Sequence, residues 1–293
     1  MRLKNILERL PISVIVLTHN EETHISPCLT SVIPWAGEVN VVDSGSTDRT
    51  LEIVSQFTNK VFFHPFSNYS NQRNWAQSNL ALRYDWVFHI DSDERVSFEL
   101  AAKLRQFFEK RPNDHYIMGI LIRRRIEFMG RHIRHGGIYP TYHCRIFHRD
   151  KGRCEDRDYD QHFIVTGPTI KIEADLIEST AASLFSWTAR HNRWAQMEVT
   201  NLMQKASYQG RHQVSPKLLG SPIERRRWLR NYYEKGPLFI RAFLYFFVRY
   251  IFRGGFLDGI PGLVYHVLHG FWFRFYIDAC YYEKRNIDPG EIS

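Results

Sequence analysis

Residues 86–95, WVFHIDSDER, set an apolar run directly in front of two aspartates one residue apart. Val87 to Ile90 read as a buried strand, so Asp91 and Asp93 emerge at its carboxyl end, where open α/β sheets bind their ligands. Two carboxylates there can hold Mg²⁺ or Mn²⁺ against a diphosphate, because these hard cations take oxygen ligands and bridge phosphate oxygens. Taken alone, the step reads more readily as a solvated acidic turn, so its meaning depends on the surrounding segments.

Upstream, strand-like and helix-like segments alternate. ISVIVLT (12–18), EVNVVDS (38–44), KVFFH (60–64) and WVFHI (86–90) read as strands. Helices are expected between them over 21–32, 47–57 and 70–82, and after the acidic step over 98–109, with Ser97 and Glu99 at its start. Such alternation predicts βαβ units and a mostly parallel α/β sheet. Each strand end carries a polar, turn-forming cluster: Thr18 to Glu22, Asp43 to Asp48, then Asp91 to Glu94. All three fall on one edge of such a sheet. Asp43 is suited to accept from a base N–H or ribose hydroxyl, and Gly45 permits a tight turn beside a ligand. Asp48 reads instead as the cap of the next helix.

A chain of 293 residues with 44% hydrophobic content can bury a sizeable core. Four cysteines, Cys28, Cys144, Cys154 and Cys280, follow no zinc or disulfide spacing and fit a reducing compartment. The amino-terminal MRLKNILERLP lacks the apolar core of a signal peptide, which predicts residence in the cytoplasm. The net charge of +8 is uneven: residues 1–110 carry 11 Lys+Arg against 13 Asp+Glu, whereas residues 190–253 carry 13 against 3. The carboxyl-terminal third is also aromatic, in LFIRAFLYFFVRYIF (238–252) and LVYHVLHGFWFRFYIDACYY (263–282). Arg241, Arg249, Arg274 and Asp278 interrupt these runs, which disfavours a simple transmembrane helix. An interfacial helix pair attracted to anionic lipid is expected, or else helices packed on the main domain. Arg225, Arg226, Arg227 and Arg230 beside Trp228 and Tyr232 would also suit nucleic acid, but no nucleic-acid motif accompanies them, and none is expected as a partner.

VIVLTHNEE, EVNVVDSGSTDRT, SNQRNWA and DWVFHIDSDERV occur in this order over about the first 100 residues. In this the chain resembles family-2 glycosyltransferases of the GT-A fold. DSDE and the later GFLDGIPGL (255–263) are similar to bacterial enzymes of lipopolysaccharide-core and exopolysaccharide assembly; YDQHFIVTGP and WTARHNRWA resemble a subgroup linked to hormogonium-type polysaccharide synthesis. The resemblance implies a GT-A catalytic domain over 1–215 and a basic, aromatic helical extension over 216–293. It implies that Leu17, His19 and Glu21 contact the base and ribose of a nucleoside-diphosphate sugar, that Asp43 reads the base, and that Arg73 lies at the nucleotide. Asp91 and Asp93 would hold the diphosphate and a divalent metal, with Asp93 the direct ligand. Many relatives carry tyrosine where His19 stands.

The implied reaction moves a hexose, with inversion, from a UDP-linked or similar donor to a saccharide acceptor, expected to be lipid-linked, at the inner face of the cytoplasmic membrane. Inversion by direct displacement needs a general base on the acceptor hydroxyl. Asp160, in CEDRDYDQHF (154–163), is the first choice, with Glu155, Asp156 and Asp158 as alternatives. Two other functions compete. A sugar-phosphate nucleotidyltransferase would need a glycine-rich basic loop after the first strand, which THNEE is not. A non-catalytic membrane or nucleic-acid binding protein would explain the basic third but not three acidic strand ends.

Overall fold

The structure is a computed structural model, described for residues 9–110, 116–157, 160–179, 183–204 and 213–286. The elements are β1 (Leu10–Thr18), α1 (Ile25–Val32), β2 (Ala36–Asp43), α2 (Thr50–Ser55), β3 (Val61–Phe63), α3 (Tyr69–Asn79), β4 (Trp86–Asp91), β5 (Glu94–Val96) and α4 (Phe98–Lys110). There follow β6 (Gly119–Phe128), β7 (Arg131–His132), β8 (Thr141–His148), β9 (Gly152–Cys154), β10 (Phe163–Val165) and β11 (Thr169–Ser179). The helices α5 (Leu184–Met203), α6 (Pro222–Glu234), α7 (Ile240–Phe247), α8 (Gly259–Tyr265) and α9 (Phe273–Asn286) complete the chain.

The residues fall into two compact units. The first comprises 1–125, 141–155 and 162–179; the second comprises 126–140, 156–161 and 180–293.

The first unit is built on a sheet in the order β3-β2-β1-β4-β8-β6-β11-β5. β3, β2, β1 and β4 run parallel, as the alternation of strands and helices requires. β1 is buried along almost its whole length, which is why its sequence is a continuous apolar run rather than an alternating one. β8 then pairs antiparallel with β4, and β6 with β8, so the sheet is mixed beyond the fourth strand. α1 buries Ile25, Cys28, Leu29 and Val32, one face at helical spacing, against the sheet core that includes Val14, Val16, Val39 and Ile90. α3 starts at Asn68, whose side-chain oxygen accepts from the Asn71 N–H at 2.7 Å. α4 starts where expected, with the Ser97 hydroxyl accepting from the Leu100 N–H.

Helix α2 is shorter than the expected 47–57 and α3 ends at Asn79 rather than 82, but the largest difference is at α1. α1 begins at Ile25 rather than Glu21, where the N–H groups of Asn20, Glu21 and Glu22 are taken up by the side chains of Ser46, Thr50 and Asp48.

The second unit contains α5–α9 and two apolar clusters. Ile126, Phe128, Ile133, Ile138, Trp187 and Tyr265 form one; Ala195, Val199, Phe273 and Ile277 form the other. α6 opens with a full capping box, Ser221 and Glu224 each satisfying the other's backbone N–H behind Pro222. Two buried carboxylates organise its helices. Asp278 accepts from Arg241 through both oxygens and from the Phe239 N–H, and Asp258 accepts from the N–H groups of Arg134 and His135 and pairs with the His135 ring at 2.7 Å.

Candidate active site

The carboxyl ends of β1, β2 and β4 lie level with one another. In the strand register Thr18 pairs with Asp43, and Leu17 pairs with Asp91. With neighbouring strands about 4.8 Å apart, Asp43 and Asp91 stand two strands apart on this edge, on the order of 10 Å. The three polar clusters are therefore one surface, and they are also cross-linked.

Asn20 donates its N–H to the Ser46 hydroxyl at 2.9 Å, and its side-chain oxygen accepts from the Thr47 N–H at 2.8 Å. The Glu21 N–H reaches the Thr50 hydroxyl at 2.8 Å, and the Glu22 N–H reaches Asp48 at 3.1 Å. Asp48 also accepts from the Thr50 N–H, the role of holding the start of α2 that the sequence assigned to it. Partial burial pushes its carboxyl up, but the bonds from Thr50 and Glu22 outweigh this and lower it. Leu17 is buried and His19 exposed, while the Glu21 carboxylate pairs with His24 at 2.7 Å.

Asp43 is 2% exposed. One oxygen accepts from the N–H groups of Gly45 and Ser46 at 2.8 and 2.9 Å, and the other accepts from the Ser46 hydroxyl, so the carboxylate folds its own loop. Gly45 has φ +98°, a conformation that a Cβ penalises. Gly45→Ala should cost about 1–2 kcal/mol by analogy with other left-handed positions, read as a lowered urea midpoint. An unchanged midpoint would mean the loop relaxes freely.

The Asp91 carboxylate is gripped from two sides. Arg73 donates to both of its oxygens, at 2.7 and 3.0 Å, and Arg145 approaches it at 3.4 Å while bonding Glu94 at 2.8 Å. Burial acts to raise the Asp91 pKa, but the two guanidiniums win and hold it well below the usual carboxylate range. Glu94 has the opposite outcome: burial pushes it up, Arg145 opposes this, and the neighbouring carboxylates add to the rise. Arg73 is 4% exposed, so it is no surface residue of α3, and its second terminal nitrogen has no hydrogen-bond partner.

Asp93 sits half-buried in the turn between β4 and β5. This turn is tied down by the Ser92 N–H on the Leu17 carbonyl and the Ser179 N–H on the Asp93 carbonyl, at 3.1 and 2.9 Å.

Sequence reasoning missed Arg145. The available signal was a lone arginine inside the strand-like TYHCRIFH (141–148); Ile146 pairs with Phe88, which brings its neighbour beside the end of β4.

The four candidate bases separate. Glu155 is fully buried in the first unit, its carboxylate accepting from the His162 N–H at 2.8 Å and facing the His162 ring at 3.2 Å. Asp156 and Asp160 belong to the second unit, and Asp158 lies outside the described residues. Asp160, at φ 54°, pairs with Arg230, and its carbonyl accepts from Arg227 at 3.2 Å. Its side chain is nevertheless 42% exposed.

A metal fits this edge in one specific way. Among the described residues no group of three or more His, Cys, Asp or Glu is arranged as a protein-only cage. Mg²⁺ does not need one, since it commonly takes one or two carboxylates and completes its shell with phosphate oxygens and water. At this edge the carboxylates suited to that arrangement are those of Asp91, bonded to Arg73 and Arg145, and of the half-buried Asp93 two residues on.

The profile described as Glycosyl transferase family 2 matches residues 13–169, which contain all three strand ends and Arg145. The chain belongs to glycosyl transferase family 2. Its mixed sheet, with four parallel strands flanked by helices, is the GT-A arrangement.

The chain is 38% identical over 106 residues to an uncharacterized glycosyltransferase, RC0292, of Rickettsia conorii, covering 36% of this chain and 37% of that one. It is 28% identical over 152 residues to the lipopolysaccharide core biosynthesis glycosyltransferase LpsC of Rhizobium meliloti, covering 50% and 54%. These matches span little more than a third to about half of the relatives' length.

Among solved structures, residues 1–349 of S. aureus TarS align over 93% of this chain and 91% of that one, with TM-score 0.41 and 15% identity. Glucosyl-3-phosphoglycerate synthase of Mycobacterium tuberculosis, in complex with Mn²⁺ and UDP-glucose, aligns over 40% and 44%, with TM-score 0.33 and 22% identity.

Proposed function

We propose that this family-2 glycosyltransferase moves a hexose, with inversion, from a UDP-linked sugar to a saccharide acceptor carried on lipid, in cell-surface polysaccharide or lipopolysaccharide assembly. The observation that supports it best is the level alignment of Thr18 with Asp43 and Leu17 with Asp91. This alignment offers a base-reading carboxylate and a diphosphate end about one nucleotide apart.

In this reading Leu17, His19 and Glu21 border the base and ribose. Asp43, locked by Gly45 and Ser46, accepts from the imide N–H of uracil. Arg73 and Arg145 keep Asp91 ionised and fixed, and the unpartnered nitrogen of Arg73 is suited to donate to the donor phosphates. A divalent cation held by Asp93, with Asp91 behind it, would supply charge neutralisation to the leaving diphosphate.

The acceptor hydroxyl oxygen bonds to the anomeric carbon as the carbon–oxygen bond to the diphosphate breaks, and the hydroxyl proton passes to Asp160. Glu155 is the weaker candidate, because its carboxylate is sealed inside and already bonded to His162. The catalytic segment is taken as residues 1–215, with 216–293 an extension that meets the membrane.

UDP release from UDP-hexoses, followed with and without a bacterial lipid-linked oligosaccharide fraction, tests the reaction. Asp160→Asn should lower acceptor-dependent release by roughly 10²–10⁴-fold, the usual contribution of a general base, with KM for the donor little changed. Full activity in Asp160→Asn together with loss in Asp156→Asn would transfer the role to Asp156.

A further inference from the structure

The α7–α8 segment of the second unit is folded inside out. Along α7 and the π-helical turn that continues it (Val248–Phe252), the exposed positions recur at helical spacing, from Ile240 through Phe243, Phe247 and Ile251. Phe252 is 75% exposed, and in α8 Ile260 is 74% exposed. Three ionisable residues of the same segment are buried instead. Arg241, Asp258 and His266 are 7%, 2% and 1% exposed, Arg241 being paired with Asp278 and Asp258 with His135. A helix surrounded by water places its charges outward and its phenylalanines inward. This segment does the reverse, and Arg241 and Asp258 find their partners within the unit.

The charge on the exposed face narrows the occupant. Between Lys235 and Ile277 the sequence has one acid, Asp258, which is buried, while Arg253 is exposed beside the apolar stripe. A second copy of the chain would offer this face another arginine and no carboxylate from the segment. An anionic lipid surface offers both hydrocarbon and negative charge. Among the described residues no helix is long and apolar enough to cross a membrane, so a helical pair of this composition lies in the plane of the interface.

We propose that residues 240–267 insert their apolar face into one leaflet of an anionic bilayer, with Arg253 at the headgroups. The purpose served, meeting a lipid-linked acceptor, rests on the function proposed above; the surface itself does not.

The test is flotation of the full chain with vesicles of three parts phosphatidylcholine to one part phosphatidylglycerol, which requires no substrate. The protein should float, and less so with phosphatidylcholine alone. A triple variant, Phe252→Glu, Leu257→Glu and Ile260→Glu, changes only exposed side chains. It should lose at least about tenfold in vesicle partitioning, because each buried aromatic or aliphatic side chain contributes substantially, while its thermal unfolding and UDP-sugar hydrolysis persist.

Should the triple variant unfold, Phe252→Trp replaces it: brominated phosphatidylcholine mixed with phosphatidylglycerol should quench its added fluorescence relative to the parent. Failure of the parent to float, undiminished flotation of a folded triple variant, no added quenching, or a parent dimer that the triple variant dissociates without any vesicle effect would each overturn the proposal. Flotation without sugar transfer would instead sink the catalytic reading alone.

Discussion

Replacing Asp93 with alanine should lower sugar transfer by at least about a thousandfold, equivalent to roughly 4 kcal/mol of barrier. The size follows from what the carboxylate is asked to do. Departure of a nucleoside diphosphate leaves two to three negative charges, and loss of the direct ligand proposed for the cation weakens the cation's attachment to the protein. Asp93 lies in a turn whose ends are pinned through the Leu17 carbonyl and Ser179. Those two bonds are made by backbone atoms that the substitution leaves in place, and thermal unfolding of the variant checks that it is folded. Activity of the parent should fall similarly with chelator and return on addition of Mg²⁺ or Mn²⁺. Full activity in a folded Asp93→Ala protein would contradict the metal assignment.

Arg73→Met should be the most destabilising single change at the site. It removes the guanidinium that donates to both oxygens of Asp91 and leaves that carboxylate, with Glu94 close by, to Arg145 alone. Breaking a buried pair from one side typically costs about 3–5 kcal/mol; with the Asp91 side chain 29% exposed, the lower end, about 3 kcal/mol, is expected. Asp91→Asn should also destabilise: the amide still accepts one bond, but the buried Arg73 guanidinium loses its counter-charge.

The two variants also differ with pH. The folded-state pKa of Asp91 is depressed, so its contribution is present above the unfolded value near 3.9 and is lost as pH falls through the lower folded value. Acid unfolding of the parent should therefore be steeper below about pH 4 than that of Asp91→Asn. Parallel acid transitions would show that the pair does not contribute as described.

Much of the donor edge was legible in the sequence because its signals are local. Buried parallel strands write themselves as continuous apolar runs, and β2 ends in Asp43, whose side chain folds the next turn at Gly45 and Ser46. The illegible parts depend on distant partners. Arg145 bonds Glu94 across 51 positions, and Asp160 meets Arg230 across 70, and no periodicity reports such pairings. Helix α1 started late because Asn20 and Glu21 were taken up by Ser46, Thr47 and Thr50, a competition between loops that neither segment reveals alone. In the carboxyl-terminal third, composition announced aromatic, basic helices. Which face they expose depended on the distant partners of Arg241 and Asp258, found at Asp278 and His135.

In the proposed function one nucleotide spans the level ends of β1, β2 and β4. Calorimetric titration of UDP into the protein with Mn²⁺ measures this directly, comparing the parent with Asp43→Asn and Asp93→Asn. One site per chain is predicted, metal-dependent, weakened by about tenfold or more in each variant as a charge-assisted contact is lost at either end. UDP binding of unchanged affinity and metal dependence in both folded variants would contradict it.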